Sequence, residues 1–132
     1  MPKNSDFNST FTQLKEIFAP YEDKLIVLAD TRDNYSLDVN YVMKNKRRLY
    51  FGGVRRGKAY VSFHLMPVYA SPELLKSMSP ELKRRMQGKS CFNFKGVDEK
   101  LFKELARLTK AGFARFNDKK FLEGLRMMQG SK

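Results

Sequence analysis

Hydrophobic positions along the chain switch between a helical and a strand period, and the switches lay out its elements. Phe11, Leu14, Ile17 and Phe18 recur at helical spacing and form one apolar face. They predict a first helix, capped by Ser9 or Thr10, that runs to about Ala19, where Pro20 disfavours continuation. The apolar run Leu25 to Ala29 predicts a buried strand, and Asp30 to Asn34 is rich in residues that bond their own backbone and form turns. From Tyr35 to Met43 the chain alternates. Tyr35, Leu37, Val39, Tyr41 and Met43 share one face and Ser36, Asp38 and Asn40 the other, which is the pattern of a half-buried antiparallel strand. A basic turn over Lys44 to Lys46 leads into a third strand, Leu49 to Arg55, whose Gly52-Gly53 pair marks a bulge or close packing. Arg56-Gly57-Lys58 is a tight turn, and Ala59 to Met66 predicts a fourth strand.

Beyond that point the same four residues occur twice, as Ser71-Pro72-Glu73-Leu74 and Ser79-Pro80-Glu81-Leu82. Each is a helix start, with serine as cap, proline in the first turn and glutamate near the positive end of the helix dipole. The second short helix is expected to end near Gly88. Ser90 to Lys95 sets Cys91, Asn93 and Lys95 against Phe92 and Phe94, a last short strand. Asp98 caps the strongest helix, in which Leu101, Phe102, Leu105, Leu108 and Phe113 share a face. Gly112 inside it costs about 1 kcal/mol relative to alanine, so a close contact with the sheet is expected there. Phe121 to Met128 is a terminal amphipathic stretch. The fold class is therefore α+β, an antiparallel sheet of about five strands with helices at both ends. Residues 1–8 read as a polar tail, 9–128 as a single domain and 129–132 as a second tail; a chain of 132 residues suits one domain.

Composition adds a core and a charge. The 11 Phe and 6 Tyr supply enough aromatic area to close one core. The net charge of +12 favours polyanionic partners. It is unevenly placed: residues 1–43 hold 4 basic and 7 acidic side chains (net −3), and residues 44–95 hold 13 basic and 2 acidic (net +11). One cysteine allows no intrachain disulfide, which suits a reducing cytoplasm. The first residues lack the apolar stretch of a signal peptide, and no apolar run is long enough to span a bilayer, so no membrane role is expected.

Candidate chemistry is sparse. His64 and Cys91 are the single imidazole and thiol; both fall in expected strands of one sheet, and with Tyr60 they make a candidate pocket. No local signature surrounds them, so no catalytic residue is assigned and the first reading is not an enzyme; an enzyme with a pocket around His64 and Cys91 stands as an alternative. One Cys and one His cannot fill a closed zinc site, and neither metal ligands nor a cofactor are assigned. Glu16, Glu22, Asp23, Asp30, Asp33 and Asp38 could offer oxygen ligands to a hard cation or iron, or form a solvated acidic face. Gly52-Gly53 with Gly57 matches no nucleotide-binding turn.

The basic residues form two groups. Lys44, Lys46, Arg47 and Arg48 precede the third strand while Arg55, Arg56 and Lys58 follow it, which places them at its opposite ends. Lys83, Arg84, Arg85, Lys89 and Lys95 surround the second short helix. Arg84, Lys89 and Ser90 could hold a small anion, or Gly88 is simply a helix-ending glycine. Tyr50, Phe51 and Tyr60 interleave with the cations, although alternation sends about half of such aromatics to the core. The candidate anion-binding residues are Arg47, Arg48, Arg55, Arg56, Lys58, Arg84 and Lys89. They point to a non-enzymatic cytoplasmic binding module whose partner is nucleic acid or another polyanion. Exposed sheet edges permit a dimer without demanding one.

Three stretches carry a resemblance: residues 57–67 (GKAYVSFHLMP), residues 79–83 (SPELK) and residues 86–94 (MQGKSCFNF), followed by Leu101-Phe102-Lys103-Glu104-Leu105 with Gly112-Phe113. They resemble the YdhG-like family of small bacterial proteins, a domain of unknown function, and the likeness covers most of the chain with its specific motifs in the second half. The resemblance implies a curved antiparallel sheet packed against terminal helices. It also implies an alternative function, a frataxin-like iron chaperone, for which Glu16, Glu22, Asp23 and Asp30 would be the acidic ridge. It assigns no catalytic residue.

Overall fold

The computed structural model describes residues 4–129. Its order is helix α1 (Asn4–Phe18), a 3-10 turn (Ala19–Lys24), strands β1 (Leu25–Asp30), β2 (Asn34–Val42), β3 (Arg48–Arg56) and β4 (Val61–Leu65), then helix α2 (Met66–Ala70). A 3-10 turn (Pro72–Leu75), helix α3 (Pro80–Lys83), strand β5 (Cys91–Phe94) and helices α4 (Glu99–Phe116) and α5 (Lys119–Gln129) complete it. The five strands form one open antiparallel sheet in the order β1-β2-β3-β4-β5, as the alternating pattern predicts for an α+β fold.

Pleating divides the strand residues between two faces. Tyr35, Leu37, Phe51, Val54, Val61, Phe63, Leu65, Phe92 and Phe94 are buried in a core shared with α1 and α4. Phe18 anchors this core from the end of α1. Its ring stacks on Phe63 with centroids 4.8 Å apart and meets Phe51 edge-on at 5.9 Å. The two glycines of β3 are sites of close approach. A Cβ on Gly52 would lie 2.5 Å from the His64 carbonyl oxygen and 3.0 Å from Phe18 Cζ, and one on Gly53 only 2.2 Å from the Tyr35 carbonyl oxygen. The register shifts beside Gly52, between Leu37 and Asp38 of β2, so a bulge accompanies the close packing.

Several expectations are corrected. The polar tail over 1–8 gives way to α1 from Asn4 onward, and Phe7 is buried in the core; residues 1–3 of that tail lie outside the described residues. At the other end Gln129 belongs to α5, and 130–132 lie outside the described residues. Strand β1 is an edge strand, not a buried one: Val27 is 41% and Leu28 51% exposed, and among the described residues no strand pairs with its outer side. An apolar run alone does not distinguish the two cases. The fourth strand stops at Leu65, where Pro67 enters the first turn of α2. Gly112 meets that helix instead of the sheet, since a Cβ there would sit 2.8 Å from Pro67 Cβ.

The repeated Ser-Pro-Glu-Leu motif folds in two ways. Ser79 Oγ accepts from the Leu82 amide at 3.2 Å and so caps α3, which ends at Lys83, well before Gly88. Ser71 makes no such bond and opens only a 3-10 turn. The two hydroxyls also meet different partners: Glu104 of α4 accepts from both the amide and the hydroxyl of Ser79, each at 2.6 Å, whereas the Ser71 hydroxyl accepts from Arg115 at 3.1 Å. Asp98 Oδ1 caps α4 by accepting from the Leu101 amide at 3.1 Å, as expected. Among the described residues no helix is long and apolar enough to cross a membrane.

Candidate functional site: the polar face of the sheet and the groove beside β5

The sheet face turned away from the helices is polar. Cross-strand pairing places Ser36 beside Gly53, Asp38 beside Tyr50, Arg55 beside Ser62, Gly53 beside His64, Ser62 beside Asn93, and His64 beside Cys91. Pairs directly opposite in an antiparallel ladder share a face, so these residues form one continuous surface.

At its centre, Cys91 Sγ lies 3.7 Å from His64 Nε2. The thiol donates to Asn93 Oδ1 at 3.4 Å, and Ser62 Oγ donates to the same oxygen at 2.8 Å. Asn93 Nδ2 donates in turn to Gln87 Oε1 at 2.7 Å. Burial pushes the Cys91 thiol up, only partly opposed by the Ser62 hydrogen bond. Burial, and secondarily the Arg55 charge, push the His64 imidazole down. At neutral pH both partners are uncharged, unlike the thiolate of a tuned cysteine nucleophile. Tyr50 completes the cluster: burial pushes its phenol up to about 12, against the pull of its hydrogen bond to Ser36.

Of the three expected pocket residues the structure brings His64 and Cys91 together. Tyr60 lies elsewhere, in a groove of about 290 Å³ lined by Tyr60, Arg84, Arg85, Met86, Gln87, Asn93 and Lys95. This groove forms where residues 84–87 run beside β5, held by the Asn93 amide donating to the Arg85 carbonyl at 2.8 Å and the Gln87 amide to the Cys91 carbonyl at 2.9 Å. Its lining has three cations and no carboxylate, and among the described residues none of the three is in an ion pair. Asn93 joins the groove to the polar face.

The other basic candidates do not converge. Arg48 and Arg55 stand seven residues apart on β3, about 23 Å at strand rise, with Arg47 just before the first and Arg56 just after the second. Arg48 pairs with Asp38 at 3.7 Å, and Arg56 donates to Asn8 of α1. Lys58 sits in the exposed turn closed by the Gly57 amide on the Tyr60 carbonyl. Lys89 lies 5.9 Å over the Tyr69 ring and does not line the groove that holds Arg84.

The N-terminal carboxylates are dispersed as well. Asp30 bonds Lys15 at 2.5 Å, Glu22 accepts from the Tyr35 hydroxyl, and Asp38 faces Arg48. Among the described residues no three His, Cys, Asp or Glu side chains come together to hold a metal ion. No family model, curated protein or solved structure matches the chain.

The displaced titrations have a measurable sign. Folded His64 binds its proton less tightly than the usual 6.5, so the unfolded chain takes up the proton first on acidification. The contribution is fully present above that value and is lost as pH falls through the folded pKa. Asp38 has the opposite sign, since burial raises its carboxyl despite Arg48, and the folded state gains from its protonation as pH falls. A plot of thermal midpoint against pH is therefore expected to fall more gently below 6.5 in His64→Gln than in the unmodified protein. Parallel curves would remove His64 as a source of the slope.

Proposed function

We propose that the protein is a non-enzymatic cytoplasmic binding module for single-stranded nucleic acid, held in the groove beside β5. The observation that carries this reading is the lining itself: Arg84, Arg85 and Lys95 with no carboxylate among them, next to a partly exposed Tyr60. Cations freed from ion pairs can take backbone phosphates and release their counterions. A tyrosine face stacks on any base, worth about 1–3 kcal/mol per base. Gln87 and Asn93 supply amides at the floor of the groove, and Asn93 leads on to the polar face with His64 and Arg55. A duplex presents its bases stacked inside, so the pairing of open phosphate contacts with a stacking ring favours single strands. The YdhG-like resemblance belongs to the same proposal: its matched stretches 57–67 and 86–94 hold Tyr60, Met86, Gln87 and Asn93 of this lining, while Arg84, Arg85 and Lys95 fall outside them.

Fluorescence anisotropy with labelled single- and double-stranded oligonucleotides across a salt series tests the reading. Single strands are expected to bind more tightly. Replacing Arg84, Arg85 and Lys95 together by alanine should lower the slope of log K against log salt by about two, at roughly 0.7 per phosphate contact. Replacing Tyr60 by alanine should weaken binding about tenfold without changing the slope. An unchanged slope in the triple variant would remove the groove as the site.

A further inference from the structure

We propose that His64 and Cys91 are the two protein ligands of an open site for a single thiophilic divalent cation of the zinc type, on the polar face of the sheet. The argument starts from their register. His64 of β4 and Cys91 of β5 are directly opposed, with ladder pairs on the β4–β5 interface running from Val61↔Phe94 to this one, so two hydrogen-bonded strands set the separation. That separation is 3.7 Å between Nε2 and Sγ. Zinc bonds of about 2.3 Å to sulfur and about 2.0 Å to nitrogen, meeting at a tetrahedral angle, place the two atoms about 3.5 Å apart. The ligand pair is therefore already spaced as the ion requires.

The resting contacts leave the pair available. The thiol directs its proton to Asn93 Oδ1, and that oxygen is held in place by Ser62. A weak sulfur–nitrogen hydrogen bond of 3.7 Å joins the two ligand atoms, so an entering ion displaces that contact as well as the thiol's own S–H. On binding, that proton passes to solvent, the sulfur becomes a thiolate and the imidazole coordinates as the neutral ring. Both residues are half-exposed, which gives the ion a path in. Thiolate and imidazole are the ligands that zinc-type ions prefer, whereas magnesium and calcium take oxygen. Among the described residues no third His, Cys, Asp or Glu joins the pair, so water fills the remaining positions. Arg55 on the same face opposes the incoming charge. With two protein ligands in place of four, the site exchanges its ion and does not hold the fold together.

The proposal is independent of the nucleic-acid reading and has its own readouts. Reduced, full-length protein is titrated with Co²⁺, whose thiolate complexes absorb in the near ultraviolet. The expected result is a sulfur-to-cobalt band that saturates at one ion per chain, is displaced by Zn²⁺, and is absent in Cys91→Ser. His64→Gln should weaken cobalt binding about tenfold or more. Alkylation of Cys91 by iodoacetamide in the unmodified protein needs no variant to fold, and Zn²⁺ is expected to slow it. No band at millimolar Co²⁺, equal affinity in His64→Gln, or alkylation indifferent to Zn²⁺ would each overturn the site.

Discussion

Gly53→Ala is expected to lower stability by about 3 kcal/mol, at the upper end of what an overpacked core position costs. The added methyl would sit 2.2 Å from the Tyr35 carbonyl oxygen and 3.1 Å from both Ser36 Cα and Tyr50 Oη. The nearest atom is backbone in the neighbouring strand, so no side-chain rotation relieves the contact; β2 and β3 must separate. Urea denaturation followed by circular dichroism measures the effect. Gly124→Ala is the matched control. It lies within α5 with nothing within 4 Å of the added carbon, and should gain about 1 kcal/mol from helix propensity. If the two substitutions moved the urea midpoint alike, close strand approach would not be the reason for the glycine.

Phe18→Ala is expected to cost about 3–5 kcal/mol, the range for deleting a buried phenylalanine. The ring is fully buried and touches three others, Tyr35, Phe51 and Phe63, from three different strands. It also lies over Gly52, where a Cβ would come within 3.0 Å of it. Removing it opens a void that rigid strands cannot fill, and so separates α1 from the sheet it covers. The urea midpoint should fall sharply with the slope of the transition retained, since the same surface is exposed on unfolding. A loss below about 1 kcal/mol would mean that the neighbouring rings collapse into the space.

What could be read from the sequence follows from the range of the forces involved. Alternation in Tyr35 to Met43 and helical spacing from Leu101 to Leu108 are local, and both elements form as expected with the expected faces buried. Asp98 and Ser79 cap their helices because a cap is settled within three residues. The misreadings concern partners supplied from elsewhere in the chain. Whether Leu25 to Ala29 is central or at an edge depends on how many strands pair with it. Ser71 and Ser79 open the same four-residue motif, but their hydroxyls meet different partners from distant parts of the chain, Arg115 for the first and Glu104 for the second. The site shows the same division. Alternation places Cys91 and Asn93 on one face, but the β4–β5 register is needed to set His64 beside Cys91. The groove depends on residues 84–87 folding back along β5, which no periodicity announces.

The bare side of β1 has a colloidal consequence. An edge strand that no other strand covers among the described residues, with two exposed aliphatic side chains, is a template for adding another strand. At low ionic strength the +12 charge keeps copies of the chain apart. At about 1 M salt the screening length shrinks to about 3 Å, and that repulsion no longer reaches past the side chains. Salt high enough to strip away the anionic partner proposed above would therefore also remove the barrier between one protein edge and the next, and a neutralising polyanion would do the same by another route.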